Sequence, residues 1–295
     1  MKSLTVAVLG CGVIGQSWAK AFLLAGHSVR CWDIEPAVGL DIAQLKAKHR
    51  DADVSFCPDV KQAVQGADFV QENCPEDLPL KQNLYRQIEC VFDATALLAS
   101  STSTLQATQL QQGISFAERI VIGHPFNPPH LLPLVEVVGG EQTSKHSIQK
   151  AMDFYKDLGK QAIHLKTERP GHLANRLQAA VWREAVDAVA SGQASVEDVD
   201  LAMTTALGPR WAAMGPFKTF QLGGGEGGLA HFLEHLGGAF EALWDDAERP
   251  QMTEALKKQL IAEAAALTAG QTAQECAQQR DRQLTAILAA REKTC

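Results

Sequence analysis

Two residues on neighbouring segments carry the side chains that general acid–base chemistry needs. His124 ends an apolar run that begins at Arg119, and Glu136 lies in the run from Leu134 to Val138. Both runs have the pattern of buried strands, so we expect the imidazole and the carboxylate to face each other across a sheet. A histidine ordinarily titrates near neutrality, and a carboxylate beside it can fix its tautomer. The alternative is a buried histidine with a purely structural role.

The segment between these two residues is stiffened by proline. Each proline fixes its own φ and lacks a backbone donor, so the segment cannot be helical and is predicted to reverse as an ordered loop. The prolines are Pro125, Pro128, Pro129 and Pro133.

A glycine-rich turn near the N-terminus predicts a dinucleotide site. A strand from Leu4 to Leu9 leads into Gly10-Cys11-Gly12-Val13-Ile14-Gly15, and an apolar helical pattern follows. Such glycines permit a tight turn, the close approach of a pyrophosphate and close helix–strand packing. A second strand, Ser28 to Trp32, ends in Asp33, whose carboxylate suits the adenosine ribose and would repel the extra phosphate of NADP. The predicted NAD-binding residues here are Gly10, Gly12, Val13, Ile14, Gly15 and Asp33.

Composition excludes several classes of partner. The chain has 295 residues, a net charge of −7 and no basic run, which argues against binding to nucleic acid or to an anionic membrane. Its seven cysteines form no CxxC pair and indicate reduced thiols in the cytoplasm. The first residues have the pattern of a strand rather than a signal peptide, and no apolar stretch is long enough to span a membrane.

The order of elements predicts an α/β fold, a Rossmann-like doubly wound sheet followed by an all-helical C-terminal domain. Strand and helix patterns alternate as far as Lys166, and only helical patterns follow Thr167 to Gly171, beginning with an amphipathic helix from His172 to Ser191. We therefore expect an NAD-binding domain over residues 1–167 and a helical substrate and dimerisation domain over residues 168–295.

Several motifs together resemble the L-3-hydroxyacyl-CoA dehydrogenase superfamily. They are Gly10 to Gly15, Val70 to Lys81, Ser100 to Leu105, His124 to Glu136 and Gly171 to Leu177. A later block is most similar to the branch of L-carnitine dehydrogenase and lambda-crystallin (L-gulonate 3-dehydrogenase). It comprises Gly208 to Phe217, Gly223 to Gly228 and His231 to His235.

This resemblance implies a homodimeric enzyme that oxidises a small L-3-hydroxy acid with NAD. By position it makes His124 the catalytic base and Glu136 its partner, with Ser103 and Asn175 holding the reacting oxygen. It also assigns four residues to the cofactor, namely Glu76, Lys81, Ser101 and Asn127. No metal is implied.

One departure from the family bears on the substrate. Family members usually carry a long helical hairpin after the second strand, which contacts CoA in the acyl-CoA enzymes. Here only residues 34–53 fill that gap, enough for one helix and a turn. A free 3-hydroxy acid is therefore favoured, and an L-3-hydroxyacyl-CoA dehydrogenase acting on a short-chain thioester is the alternative.

A carnitine-like substrate would present a quaternary ammonium group, which aromatic faces attract. The helical half offers five aromatic residues for this, although ordinary packing in the core and at interfaces is the preferred explanation for most of them. They are Trp182, Trp211, Phe217, Phe220 and Trp244.

Two other classes remain open. His231, Glu234 and His235 match the HxxEH pattern of zinc peptidases, which would predict a zinc-dependent hydrolase. This hypothesis leaves the glycine turn unexplained. A crystallin-like structural protein is the second alternative, and the intact set of candidate catalytic residues argues against it.

Overall fold

The computed structural model describes residues 3–49, 53–246 and 249–293. Its eight strands are β1 (Thr5–Leu9), β2 (Ser28–Trp32), β3 (Val54–Phe56), β4 (Phe69–Glu72), β5 (Leu97–Ser100), β6 (Ile120–Pro125), β7 (Leu134–Gly139) and β8 (Gln161–Leu165). The helices among them are α1 (Val13–Leu24), α2 (Val38–Lys48), α3 (Val60–Val64), α4 (Leu78–Ile88), α5 (Ala107–Leu110) and α6 (Lys145–Asp157), with a 3₁₀ turn at Ala117–Arg119.

The strands form one sheet in the order β3-β2-β1-β4-β5-β6-β7-β8. All neighbouring pairs are parallel except β6 and β7, which are antiparallel. Strand order reverses beside β1, the arrangement that places ligands at the carboxyl ends of the strands. The predicted Rossmann-like doubly wound sheet is confirmed.

Both faces of the sheet are covered, which explains why its central strands are apolar throughout. Val6 and Val8 of β1 pack on one face with Trp18 and Phe22 of α1 and with Tyr155 of α6. The intervening β1 residues, Ala7 and Leu9, pack on the other face with helix α4. Alternate side chains of one strand therefore enter two separate cores.

The remainder of the chain is helical, as predicted. Its helices are α7 (Ala174–Ala190), α8 (Val196–Ala202), α9 (Gly208–Ala213), α10 (Pro216–Gly223), α11 (Gly228–Asp246), α12 (Glu254–Leu267) and α13 (Ala273–Glu292), with a π-helical turn at Met203–Leu207 and a 3₁₀ turn at Gly225–Gly227. The Ser195 hydroxyl accepts from the backbone N–H of Asp198, the capping box that starts α8. Within the described residues no helix has both the length and the apolar character that crossing a bilayer requires.

Backbone contacts divide the chain into two compact units, Met1–Arg176 and Leu177–Cys295. The boundary expected after residue 167 stays a prediction. The expected start of the long helix at His172 is wrong, because Gly171 and His172 have φ values of +78° and +50° and the helix begins at Ala174. A left-handed backbone cannot belong to a right-handed helix.

Candidate active site

The antiparallel pairing of β6 with β7 sets His124 directly opposite Glu136. His124 Nδ1 lies 2.9 Å from Glu136 Oε2, and both side chains are buried. An ionised carboxylate can only accept, so this contact places the proton of a neutral imidazole on Nδ1 and leaves Nε2 with a free lone pair. The arrangement suits a general base.

The other oxygen of Glu136 is held by the start of a helix. Oε1 accepts from the backbone N–H groups of Leu173 and Ala174, at 3.0 and 2.8 Å. Burial raises the pKa of Glu136, but the hydrogen bonds from His124, Ala174 and Leu173 outweigh it, and the pKa falls below its ordinary value. The carboxylate therefore stays ionised beside the imidazole.

The free nitrogen of His124 faces a serine on the turn that follows β5. Ser103 Oγ lies 3.2 Å from His124 Nε2. Glu76 Oε1 organises this turn, because it accepts from the backbone N–H groups of Ser103 and Thr104 and from the hydroxyls of Thr102 and Thr104, at 2.7–2.9 Å. Burial raises the pKa of Glu76, yet the hydrogen bonds from Thr102 and Thr104 produce a net lowering. Glu76 thus supports the turn of Thr102, Ser103 and Thr104, the serine turn, and its predicted contact with the cofactor stays a prediction.

Two side chains, Ser17 and Lys160, hold the proline-rich loop after His124 in place. The Ser17 hydroxyl of α1 lies 2.7 Å from His130 Nδ1 and accepts from the backbone N–H of His130. The Lys160 ammonium donates to the carbonyls of Pro129 and Leu132. The loop is therefore ordered, and it leaves Asn127 exposed at its surface.

Asn175 lies in the first turn of α7, directly after the two residues that bind Glu136. Its side chain is half-buried. Hydrogen bonds join Ser103, His124 and Glu136. Asn175 directly follows Leu173 and Ala174, whose backbone N–H groups bind Glu136.

The glycine turn has the properties of a pyrophosphate site. Gly10 has a φ of +79°, and a Cβ there would lie 2.8 Å from the backbone of Asn73. A Cβ on Gly15 would lie 1.9 Å from the Gly10 carbonyl oxygen, whereas one on Gly12 would meet nothing within 4 Å. No side chain of the described residues caps α1 at Gly12, so its first N–H groups can bind an anion. Val13 is 75% exposed beside them, and Ile14 packs against the core.

Asp33 stands at the end of β2, beside this turn. Its Oδ2 accepts from the backbone N–H of Cys11 at 2.6 Å and its Oδ1 from that of Glu35 at 2.9 Å. A cavity of about 810 Å³ opens next to it. Its lining includes Gly10, Gly12, Asp33, Ile34, Leu80 and Asn83. The open glycine, the uncapped helix and the carboxylate beside a cavity fit the pyrophosphate and adenosine of NAD.

Two predicted cofactor residues are engaged in buried networks. Lys81 Nζ donates to Glu72 Oε1 at 2.6 Å and to the carbonyl of Cys74 at 2.9 Å, and Lys81 is only 1% exposed. The Ser101 hydroxyl donates to Asn73 Oδ1 at 2.6 Å and accepts from Gln71 Nε2 at 2.9 Å. Both side chains therefore bind residues 71–74, whose backbone at Asn73 lies against Gly10, and their contact with the cofactor stays a prediction.

Sequence reasoning missed three buried polar residues that support the site, Gln71, Glu72 and His172. Glu72 accepts from Tyr85 and Ser100 as well as from Lys81. The signal for Gln71 and Glu72 was present, because they end an otherwise apolar central strand where polar side chains need partners.

The HxxEH motif lies within α11. The rings of His231 and His235 stack with centroids 4.0 Å apart, and His235 Nδ1 contacts the carbonyl of His231 at 3.0 Å. Across residues 3–49, 53–246 and 249–293 no group of three or more His, Cys, Asp or Glu side chains is arranged to hold a metal ion. The geometry gives the zinc hypothesis no support.

Comparison with known proteins decides the family. Residues 5–49 and 39–168 match the model of the 3-hydroxyacyl-CoA dehydrogenase NAD binding domain, and residues 171–265 match the C-terminal domain of the same family. The chain belongs to this family. It is an NAD-dependent oxidoreductase, as the glycine turn and the candidate base predicted.

Curated relatives and solved structures agree. The chain is 41% identical to an L-carnitine dehydrogenase of Nocardiopsis dassonvillei over 98% of this chain and 92% of that one. It is 40% identical to an L-carnitine dehydrogenase of Streptomyces coelicolor over 97% and 94%. Among solved structures, it is similar to a 5-formyl-3-hydroxy-2-methylpyridine 4-carboxylic acid 5-dehydrogenase, described as an NAD⁺-dependent dismutase, with a TM-score of 0.84, 27% identity and 99% coverage of both chains.

Two glycine substitutions should separate cofactor binding from folding. Gly12→Ala places its methyl group in open space, so we expect an unchanged melting temperature but NAD affinity weakened at least about tenfold. Gly15→Ala drives its methyl group into the Gly10 carbonyl and should destabilise the fold by about 1–3 kcal/mol. Calorimetric NAD titration and thermal denaturation measure both effects. Full NAD affinity in Gly12→Ala would contradict the placement of the pyrophosphate.

Replacing Glu136 with Gln should impair turnover more than binding. The amide can still accept from Leu173 and Ala174, but its NH₂ group would face His124 Nδ1 and favour the wrong tautomer. We expect kcat to fall about 10²-fold or more with NAD affinity retained. Steady-state kinetics check this, with the exposed Glu118→Gln as control.

The same variant should change how stability depends on pH. Because folding lowers the pKa of Glu136, its ionised form stabilises the native state above the unfolded pKa, and this contribution is lost as pH falls through the folded pKa. Urea unfolding at acid pH should therefore show that the free energy of unfolding falls less steeply with decreasing pH in Glu136→Gln than in wild type. Equal slopes would show that the carboxylate gains nothing from its partners.

Proposed function

We propose that this dehydrogenase oxidises a small, free L-3-hydroxy acid of the carnitine type to its 3-oxo acid, with His124 as general base. The observation that carries the proposal is the line of hydrogen bonds from Glu136 through His124 to Ser103, with distances of 2.9 and 3.2 Å. The identity of 37–41% to relatives named L-carnitine dehydrogenase supports the substrate class.

Oxidation removes a proton from the 3-hydroxyl oxygen and a hydride from the carbon that bears it. His124 Nε2 accepts the proton as the C–O bond becomes a carbonyl. The hydride acceptor would be NAD, which the glycine turn and Asp33 would hold. Glu136 stabilises the imidazolium that forms and prevents its ring from turning, because Leu173 and Ala174 hold the carboxylate in place.

Two neighbouring groups position the reacting oxygen. The Ser103 hydroxyl lies within reach of His124 Nε2, so an oxygen bound beside that nitrogen can also contact Ser103. Asn175 supplies an amide from the first turn of α7, close in sequence to the donors that hold Glu136. Hydrogen-bond donors at this point stabilise the charge that develops on the oxygen.

The length of the segment after Asp33 favours a free acid over a CoA thioester. A single helix of 11 residues, α2, fills the connection between β2 and β3. The hairpin that contacts CoA in the acyl-CoA enzymes has no counterpart in this segment, apart from residues 50–52, which lie outside the described residues.

The quaternary ammonium of a carnitine-like acid requires aromatic faces, and the helical unit presents several. Trp182, Phe217 and Trp244 are 60–80% exposed and Trp211 is 39% exposed, while Phe220 stacks against Phe232 at 4.5 Å. The four exposed rings are the stronger candidates, because Phe220 is already packed within its unit.

NADH formation tests the substrate class directly. Purified protein and NAD are combined with L-carnitine, L-3-hydroxybutyrate, L-gulonate or L-3-hydroxybutyryl-CoA, and we expect L-carnitine to react fastest and the thioester slowest. His124→Ala should lower kcat at least about 10²-fold with NAD affinity retained, because the base is lost. A preference for the thioester would overturn the substrate assignment, and full turnover by His124→Ala would overturn the mechanism.

We also propose a cytoplasmic homodimer. Apart from the aromatic rings named above, the helical unit exposes large aliphatic side chains, including Leu233, Leu236, Leu243 and Ile261, which a second copy would cover. The six cysteines in the described residues are unpaired, as a reducing compartment favours, and Cys295 lies outside those residues.

Light scattering after gel filtration tests the dimer. We expect twice the chain mass of 31.8 kDa for wild type. Leu243→Asp, which places a charge on the exposed apolar surface, should shift the protein toward the monomer, whereas Glu118→Gln on the Rossmann-like unit should not. A monomeric wild type at micromolar concentration would contradict the proposal.

A further inference from the structure

His172 occupies a backbone conformation that few residues adopt. It follows Gly171 in the segment that leads into α7, and its φ is +50°. Residues other than glycine are uncommon in this region, although asparagine, aspartate and histidine are enriched among them, and they persist there where their surroundings hold them. The His172 side chain is only 5% exposed, so contacts of its ring can stabilise this backbone conformation.

One ring nitrogen of His172 is bound and the other is not. Nε2 lies 3.0 Å from the carbonyl oxygen of Thr102, and a carbonyl only accepts, so Nε2 carries the hydrogen. Nδ1 is then a buried acceptor, and it has no hydrogen-bond partner among the described residues. An apolar ring would fill the same space without this unpaired nitrogen, so packing alone does not explain a histidine here.

The ring stays neutral in this environment. Burial lowers the pKa of His172, and a charge on His124 would lower it further, against the Thr102 carbonyl and the carboxylates of Glu136 and Glu76, which raise it. The ring centroids of His172 and His124 are 5.1 Å apart. Two positive rings at this separation would repel each other, so His172 stays neutral while His124 holds a proton.

The segment that contains His172 binds Glu136 and the residue before Ser103. Its backbone N–H groups at Leu173 and Ala174 hold Glu136, and its imidazole holds Thr102. Thr102 immediately precedes Ser103, which contacts the opposite nitrogen of His124. A few consecutive residues thus fix the serine turn and the carboxylate relative to each other.

We propose that His172 is a positioning residue of the dehydrogenase. Its Nε2–H holds the Thr102 carbonyl and thereby keeps Ser103 aligned with the His124–Glu136 pair. The inference rests on the proposed role of His124 as base.

Kinetics of two variants test this role. His172→Phe keeps a ring but removes the donor to Thr102, and His172→Gln supplies an amide N–H of similar reach. We expect His172→Phe to lower kcat about tenfold or more, with NAD affinity within about twofold of wild type, and His172→Gln to recover most of the loss. His164→Phe, at an exposed position of β8, is the matched control and should leave kcat unchanged.

Thermal denaturation separates positioning from simple structural support. His172→Phe loses one hydrogen bond but also removes one unpaired buried nitrogen, so we expect its melting temperature within about 4 °C of wild type. Wild-type kcat in His172→Phe would overturn the proposal. A large loss of melting temperature in both variants, with no recovery of kcat in His172→Gln, would also overturn it.

A readout without turnover distinguishes this inference from the proposed function. In ¹⁵N spectra of the imidazole rings, the His172 signals should report a hydrogen on Nε2 and none on Nδ1. The His124 signals, assigned by their loss in His124→Ala, should shift in His172→Phe and not in His164→Phe. If wild type oxidises none of the 3-hydroxy acids but these shifts occur, the substrate assignment fails and the positioning role stands. Unchanged His124 signals in His172→Phe would overturn the positioning role.

Discussion

The structure of the candidate site depends on the carboxylate of Glu136. One oxygen binds the first backbone N–H groups of α7 and the other binds the imidazole of His124. A buried carboxylate stays charged only when such donors replace water, and here they come from two different parts of the chain. One charged group therefore fixes the tautomer of His124 and binds the backbone where α7 begins.

A second hydrogen-bond network fixes the backbone at Gly123, directly before His124. The Tyr155 hydroxyl donates to Gln71 Oε1 at 2.6 Å, and Gln71 Nε2 donates to Ser101 and to the carbonyl of Gly123. A Cβ on Gly123 would lie 2.0 Å from the Tyr155 hydroxyl, so only glycine can precede His124 there. The amide of Gln71 thus spans from β5 to β6 and keeps the serine turn and the base at the ends of adjacent strands.

Much of this architecture could be predicted from sequence because its signals are local. The glycine turn, the apolar strands and the proline-stiffened loop each follow from a few consecutive residues. The register of β6 on β7, which pairs His124 with Glu136, follows from two apolar runs around one reversal. His172 has no comparable signal. The partner of its ring, the carbonyl of Thr102, lies 70 residues away in the sequence, so no local pattern indicates the contact. The ion pair of Lys81 with Glu72 could not be predicted either, because a buried ion pair produces no periodic pattern in the sequence.

Helix α1 connects the glycine turn with Ser101 and with the loop that follows His124. Its first turn presents the open N–H groups beside Gly12, and its second turn carries Ser17 and Trp18. Ser17 binds His130 in the loop after His124, and the indole N–H of Trp18 donates to Ser101 at 3.3 Å. The Lys160 ammonium lies 5.7 Å from the Trp18 ring centroid and binds the same loop. A shift of α1 that moved the pyrophosphate site would therefore also move the loop and the serine turn. Hydride transfer requires a fixed separation between cofactor and base. A helix that begins at the glycine turn and contacts both Ser101 and the loop after His124 can maintain that separation.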